Sequence, residues 1–191
     1  MSTPSKVKFG CKKFFFSVYD ESGKAEKPWQ NPGAQSVDIA NGSSSSSSIA
    51  GDDNPNFYVS PGSGGKELTV QATRYIRDFY AKILGQEKDS TTGALVEGPR
   101  DVSKNFAFGF EVGGDQGGYR VWLLSNSATI PTFKPGTNTN SGITEVPEVS
   151  TFKSSAIKCK DGKERIMVTF EPGDAGYETA FDSVPYMEAS A

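Results

Sequence analysis

The chain's 191 residues suit one domain, and a net charge of −3 with no basic stripe gives nucleic acid little to hold by counterion release. It contains no histidine, which removes the commonest general base, the Ser-His and Cys-His dyads and the commonest metal ligand. Only 35% of residues are apolar, yet 13 Phe, 7 Tyr and 2 Trp are too many for a disordered chain, so thin β-layers with polar surfaces partly buried between subunits are expected.

The opening "MSTPSKVKFG" has no apolar stretch of the kind a signal peptide needs and reads as the start of a cytosolic product. No run is long enough to cross a membrane. "CKKFFFSVY" is a first strand candidate, followed by "KPWQNPG", where the flanking prolines suggest an exposed Trp29. "VDIA" at 37–40 is the next strand. Then comes "NGSSSSSSIAGDDNPNFY", residues 41–58. Six flexible residues span only about 12–15 Å, and the roughly forty residues before them are too few for a separate domain. Either the run is a polar strand or hairpin arm of the same sheet, or it is a disordered surface loop.

"KELTVQA" at 66–72 reads as a strand. In "TRYIRDFYAKILG", Ile76, Phe79, Tyr80, Ile83 and Leu84 share one helical face, predicting an amphipathic helix of about three turns. Thr73 is its expected N-cap and Gly85 its expected C-terminal stop. In "FAFGFEV", Phe106, Phe108, Phe110 and Val112 alternate with Ala107, Gly109 and Glu111. In "YRVWLL", Tyr119, Val121 and Leu123 oppose Arg120, Trp122 and Leu124. The glycine-rich Gly113–Gly118 between them predicts a β-hairpin. "EVSTFK" at 148–153 and "RIMVTF" at 165–170, with Ile166, Val168 and Phe170 on its apolar face, complete the strands. The fold class that follows is mainly β, a sandwich or rolled antiparallel sheet with one packed helix.

Chemistry is harder to find. Adjacent Asp52 and Asp53 point to opposite faces of an extended chain, and Gly51, Asn54 and Pro55 favour a turn there. "GGDQGG" lacks the Lys-Ser/Thr of a phosphate loop. Cys11 and Cys159 are far apart and read as small buried hydrophobes. Trp29 and Trp122 are candidates for a sugar-stacking platform, which would make the chain a carbohydrate- or receptor-binding module. An enzyme using Asp52, Asp53 or Glu111 without histidine is a third possibility, although no carboxylate pair converges in the sequence.

In order, "NPGAQSVDIA", "IAGDDNPNFY", "YIRDFYAKILG", "TTGALVEGP", "KNFAFGFEVGGDQGGYRVWLL" and "EVSTFKSSAIK" resemble the major tail tube proteins of siphovirus-type bacteriophages, over roughly residues 9–170. The six-serine run departs from the family pattern, in which more varied residues stand. The resemblance implies a non-enzymatic virion protein, without cofactor or metal, made in the bacterial host cytoplasm and resident in the virion tail. Its subunits would form hexameric rings stacked into a hollow tube conducting double-stranded DNA without specific binding. The implied partners are further copies of the chain, the tape-measure protein, and the tail terminator and distal tail proteins, with no membrane insertion.

On that pattern the chain is one tail-tube domain over 1–191. It has an N-terminal arm at 1–10, a polar hairpin or loop at 41–65, a loop at 85–103 and a C-terminal arm at 183–191. Ser44, Ser46, Ser48, Asp52 and Asp53 are then expected to line the lumen. Lys6, Lys8, Phe9 and Tyr186 are expected on arms between subunits. The arms are polar, with few core-forming residues, and are expected to be mobile until assembly.

Overall fold

A computed structural model describes residues 7–42, 47–51, 54–60, 64–115, 117–135 and 145–190. The fold is mainly β and antiparallel. Its strands are β1 (Lys8–Val18), β2 (Trp29–Asn31), β3 (Ala34–Asn41), β4 (Ser47–Gly51), β5 (Asn54–Ser60), β6 (Lys66–Ala72), β7 (Glu87–Lys88), β8 (Leu95–Val96), β9 (Phe106–Gly114), β10 (Tyr119–Ala128), β11 (Glu148–Ser154), β12 (Ile157–Lys158), β13 (Glu164–Arg165) and β14 (Met167–Phe170). An eight-stranded sheet runs β2-β1-β9-β10-β11-β6-β3, and β14 also pairs with β10.

The sheet forks at β10. Its first half, Arg120–Leu123, pairs with β14, whereas Asn126–Ala128 pair with β11. From β11 the sheet continues through β6 to β3, which curls back beside β1. The result is a roll whose inside is aromatic. Phe16 sits among the rings of Phe79, Phe106, Phe108 and Phe152 at centroid distances of 5.2–6.2 Å. Edge-on and offset contacts of this kind add to the burial of each ring. Leu68, Val70, Val121 and Leu123 fill the remaining space.

Alternation holds in β9 and β10, but both faces are buried. Phe106, Phe108 and Phe110 point into the roll, while Ala107, Trp122 and Leu124 belong to a second core on the outside. That core is roofed by the chain after β14, where Phe181, Val184 and Met187 pack onto it. The same double burial explains the Phe-Phe-Phe run of β1. Phe14 and Phe16 face the roll, and Phe15 stacks on Phe181 at 4.5 Å. Gly109 is required opposite Trp122, because a Cβ there would sit 2.8 Å from the indole ring.

The predicted helix is much shorter than three turns. It is wound as a π turn over Phe79–Ile83, with only Arg77 and Asp78 helical before it. Residues 73–76 are held off the helix by tertiary partners. Thr73 N–H donates to Gly33 C=O at 2.8 Å, and the cap position of the π turn is Asp78, so Thr73 is not its N-cap. Tyr75 N–H donates to the Glu148 carboxylate at 2.7 Å and Ile76 N–H to Asn31 Oδ1 at 2.8 Å. The Arg74 carbonyl, which a longer helix would use internally, accepts from Asn31 Nδ2 at 2.9 Å. Gly85 does end the helix, with φ +77° and Gln86 N–H donating back to Tyr80 C=O at 3.1 Å.

Candidate assembly surfaces

The serine region forms a hairpin, but not as part of the main sheet. β4 and β5 pair only with each other, a two-stranded sheet rooted where Gly42 N–H donates to Gly65 C=O at 2.8 Å, between the ends of β3 and β6. A lone two-stranded hairpin is marginal in water. Ser48 pairs with Val59 along this arm. Ser44, Ser46, Asp52 and Asp53 lie outside the described residues, as does Lys6.

Lys8 and Phe9 open β1, paired with Gly114 and Gly113. Phe9 is exposed, as is Val7 before it. Beside them the roll opens. A cavity of about 690 Å³ is lined by Cys11, Val37, Ile39, Tyr119, Val121 and Met167, among others. Its walls include β3 and β14, whose outer edges have no strand partner among the described residues. Burial pushes the Cys11 thiol up to about 11, only partly offset by a hydrogen bond from the Lys12 backbone.

Next to this mouth lies a buried carboxylate. Glu111 on β9 meets Lys12 Nζ at 3.1 Å, Lys13 Nζ at 2.9 Å and Arg120 Nε at 3.5 Å. Burial alone would raise its pKa, but hydrogen bonds and charge from Lys13 and Lys12 outweigh that and hold it below the ordinary 4.5. Arg120 also lies over the Tyr177 ring at 4.2 Å and donates to the Tyr177 and Glu178 carbonyls. It therefore ties the sheet to the C-terminal segment. No sequence signal groups these four residues, because three strands and a bulge bring them together.

At the other end of β10 a smaller depression of about 310 Å³ is lined by Leu84, Gln86, Glu97, Asp101, Ser103 and Ile130, among others. Val96, Val102, Ile130, Phe133 and Val146 are all exposed in the segments at and around this end.

The 183–191 segment differs from expectation. Val184 is buried, Met187 packs on the outer core, Ala25 N–H donates to Glu188 C=O at 2.7 Å and Ser190 N–H to Ala25 C=O at 2.8 Å. Tyr186, at φ +61°, has Arg165 over its ring at 4.2 Å, and its carbonyl accepts Lys160 N–H at 3.0 Å. A few apolar residues suffice here because the outer face of β10 supplies the rest of the core.

The tryptophans do not make a shared sugar platform. Trp122 is fully buried, its Nε1–H donated to Ala180 C=O at 2.6 Å. Trp29 is half-buried against the inner core, with Lys82 Nζ 5.0 Å from its ring centroid. Cys11 and Cys159 are free thiols. Among the described residues no group of acidic or cysteine side chains is arranged to hold a metal ion.

Compared with protein-family models and with curated protein sequences, the chain finds no match.

Proposed function

We propose that this chain is a structural, non-catalytic protein that polymerises with its own copies into stacked rings, forming the hollow tail tube of a siphovirus-type bacteriophage. The observation that carries the proposal is an unfinished roll. Among the described residues β3 and β14 leave unpaired edges beside an open apolar cavity, and a two-stranded arm stands off the main sheet. Unpaired edges invite pairing with another chain, and heterologous contacts satisfy them without leaving an end when the rotation closes a ring.

In such a tube the serine run, with Ser44, Ser46 and Ser48, and the acidic pair Asp52 and Asp53 face the lumen. Hydroxyls and carboxylates give passing DNA no cation to grip, and the acidic repulsion is screened within about 8 Å. The sixfold ring, the tape-measure protein and the tail terminator belong to the same proposal and follow from the family resemblance. Negative-stain microscopy of the purified chain at high concentration tests it. Rings or hollow rods support the tube, and uniformly dispersed single particles would sink it.

A further inference from the structure

One oxygen of the buried Glu111 carboxylate faces two cations. Lys13 Nζ donates to Oε2 at 2.9 Å, and Arg120 Nε lies 3.5 Å from the same atom. Lys12 Nζ takes the other oxygen, Oε1, at 3.1 Å. Arg120 Nε is buried and, among the described residues, has no hydrogen-bond partner. A buried N–H without an acceptor is costly, and here a carboxylate oxygen just out of reach is already taken.

The two competitors are unlike. The Lys13 side chain is 45% exposed and stands in a bulge, where Lys13 and Phe14 fall between the Lys12–Glu111 and Phe15–Gly109 pairs. Its contact with Oε2 is made at φ +59°, a left-handed backbone that disfavours lysine. The Arg120 side chain is 12% exposed and lies in a regular stretch of β10, paired with Glu111 on one side and Phe170 on the other. A shift of about half an ångström would bring its Nε to hydrogen-bond distance.

What Arg120 grips is the C-terminal segment that roofs the outer core. Its Nη1 donates to the Tyr177 and Glu178 carbonyls, and its guanidinium covers the Tyr177 ring. Further along the roof, Ala180 C=O accepts the Trp122 indole N–H at 2.6 Å. A guanidinium fixed by a further hydrogen bond loses less freedom in holding those carbonyls, so the bond Arg120 lacks is one that would tighten the roof.

We infer that Lys13 and Arg120 compete for Glu111 Oε2, and that this competition couples the bulge of β1 to the C-terminal roof. With Lys13 on the oxygen, Arg120 holds the roof without support from the carboxylate. When Lys13 withdraws, Arg120 Nε closes on Oε2 and the roof tightens over Trp122. An event that draws the opening of β1 away from β9 is thereby felt at the roof. Two discrete arrangements of one carboxylate are the kind of element that can carry such coupling. The inference does not depend on polymerisation.

The test uses full-length chains and reads hydrogen exchange of the Trp122 indole N–H by NMR, its signal assigned in Trp29→Phe. Lys13→Asn removes the ammonium and suits the left-handed backbone. Lys12→Gln removes an equal charge from the other oxygen. Lys13→Asn should slow the exchange about two- to tenfold, the range of one net hydrogen bond, and Lys12→Gln should not slow it. Arg120→Lys should exchange faster than wild type, and adding Lys13→Asn to it should bring no slowing. Circular dichroism melts check that each variant folds, and Lys13→Gly, equally free at that φ, replaces Lys13→Asn if needed. Unchanged or faster exchange in the folded Lys13 variant overturns the inference. So does equal slowing in Lys12→Gln, which would make the effect one of net charge, and so does slowing that persists without Arg120.

Discussion

Lys13 Nζ lies 2.9 Å from Glu111 Oε2, and it gets there because Lys13 adopts φ +59°. In a regular strand Lys12 and Lys13 would point to opposite faces. The register shift between Lys12 and Phe15 instead turns both ammonium groups onto one carboxylate. A left-handed lysine costs on the order of 1 kcal/mol, and the charge-assisted hydrogen bond offsets it.

That pair makes stability depend on pH with a defined sign. Glu111 has a folded pKa depressed below 4.5, so its contribution is fully present above that value and is lost as pH falls through the folded pKa. Glu111→Gln should lose about 1–2 kcal/mol at pH 7, allowing for solvent screening of the half-exposed lysines. It should also show a flatter melting temperature than wild type below pH 4.5. Parallel pH–melting curves for the two proteins that differ by a constant would count against the pair.

Gly109 and Trp122 should be energetically coupled. Gly109→Ala places a methyl group 2.8 Å from the indole and is expected to cost about 1–3 kcal/mol by overpacking. With Trp122→Phe in the same chain the two costs should sum to more than the double variant shows, by at least about 0.5 kcal/mol. Urea unfolding of the four proteins of the cycle measures this directly. Strict additivity would mean that the strand shifts to make room.

Phe16 is the residue the inner core can least spare. Phe16→Ala removes the ring between Phe79, Phe106, Phe108 and Phe152 and should cost about 3–5 kcal/mol. Phe15→Ala, on the outer face, should cost less, because its stacking partner Phe181 lies on a segment without regular structure that has room to settle. Denaturant midpoints that rank the two the other way round would show the outer core to be the stronger one.

The C-terminal segment should behave as a roof and not as a free tail. Removing residues 177–191 takes away the Ala180 acceptor of Trp122, the Tyr177 ring under Arg120, and Val184 and Met187. The truncated chain should show red-shifted tryptophan emission and bind a hydrophobic dye, since the outer face of β10 is then wet. Unchanged emission would mean that the segment contributes nothing to that core.

Cys11 reports on the mouth of the roll. With its thiol pushed up to about 11, only about one molecule in a thousand carries the reactive thiolate at pH 8. Maleimide labelling of dissociated chains should therefore be slow at pH 8 and quicken toward pH 11. In assembled material it should slow further as a second copy covers the cavity. Equal rates in the two forms would argue that the mouth stays open.

The mainly β class, the β9–β10 hairpin and strands expected at 11–19, 37–40, 66–72, 148–153 and 165–170 were legible, because side-chain alternation is a local property of a pleated chain, although β1 begins at Lys8 inside the expected arm and β3 at Ala34. Alternation gives each residue a face but not what covers that face. Trp122 is buried, and the Phe15 ring partly covered, by a C-terminal segment whose own sequence looks polar. The helix stripe was equally visible, yet Asn31 and Glu148, far off in sequence, capture the amides before it and cut it short. The Glu111 cluster was illegible because it depends on a bulge and three strands. Short-range sterics and hydrophobic periodicity wrote the long strands, their apolar faces and the β9–β10 turn into the chain itself. The tertiary structure decided the roll, its open mouth and its roof, because those depend on contacts between segments that local preferences do not encode.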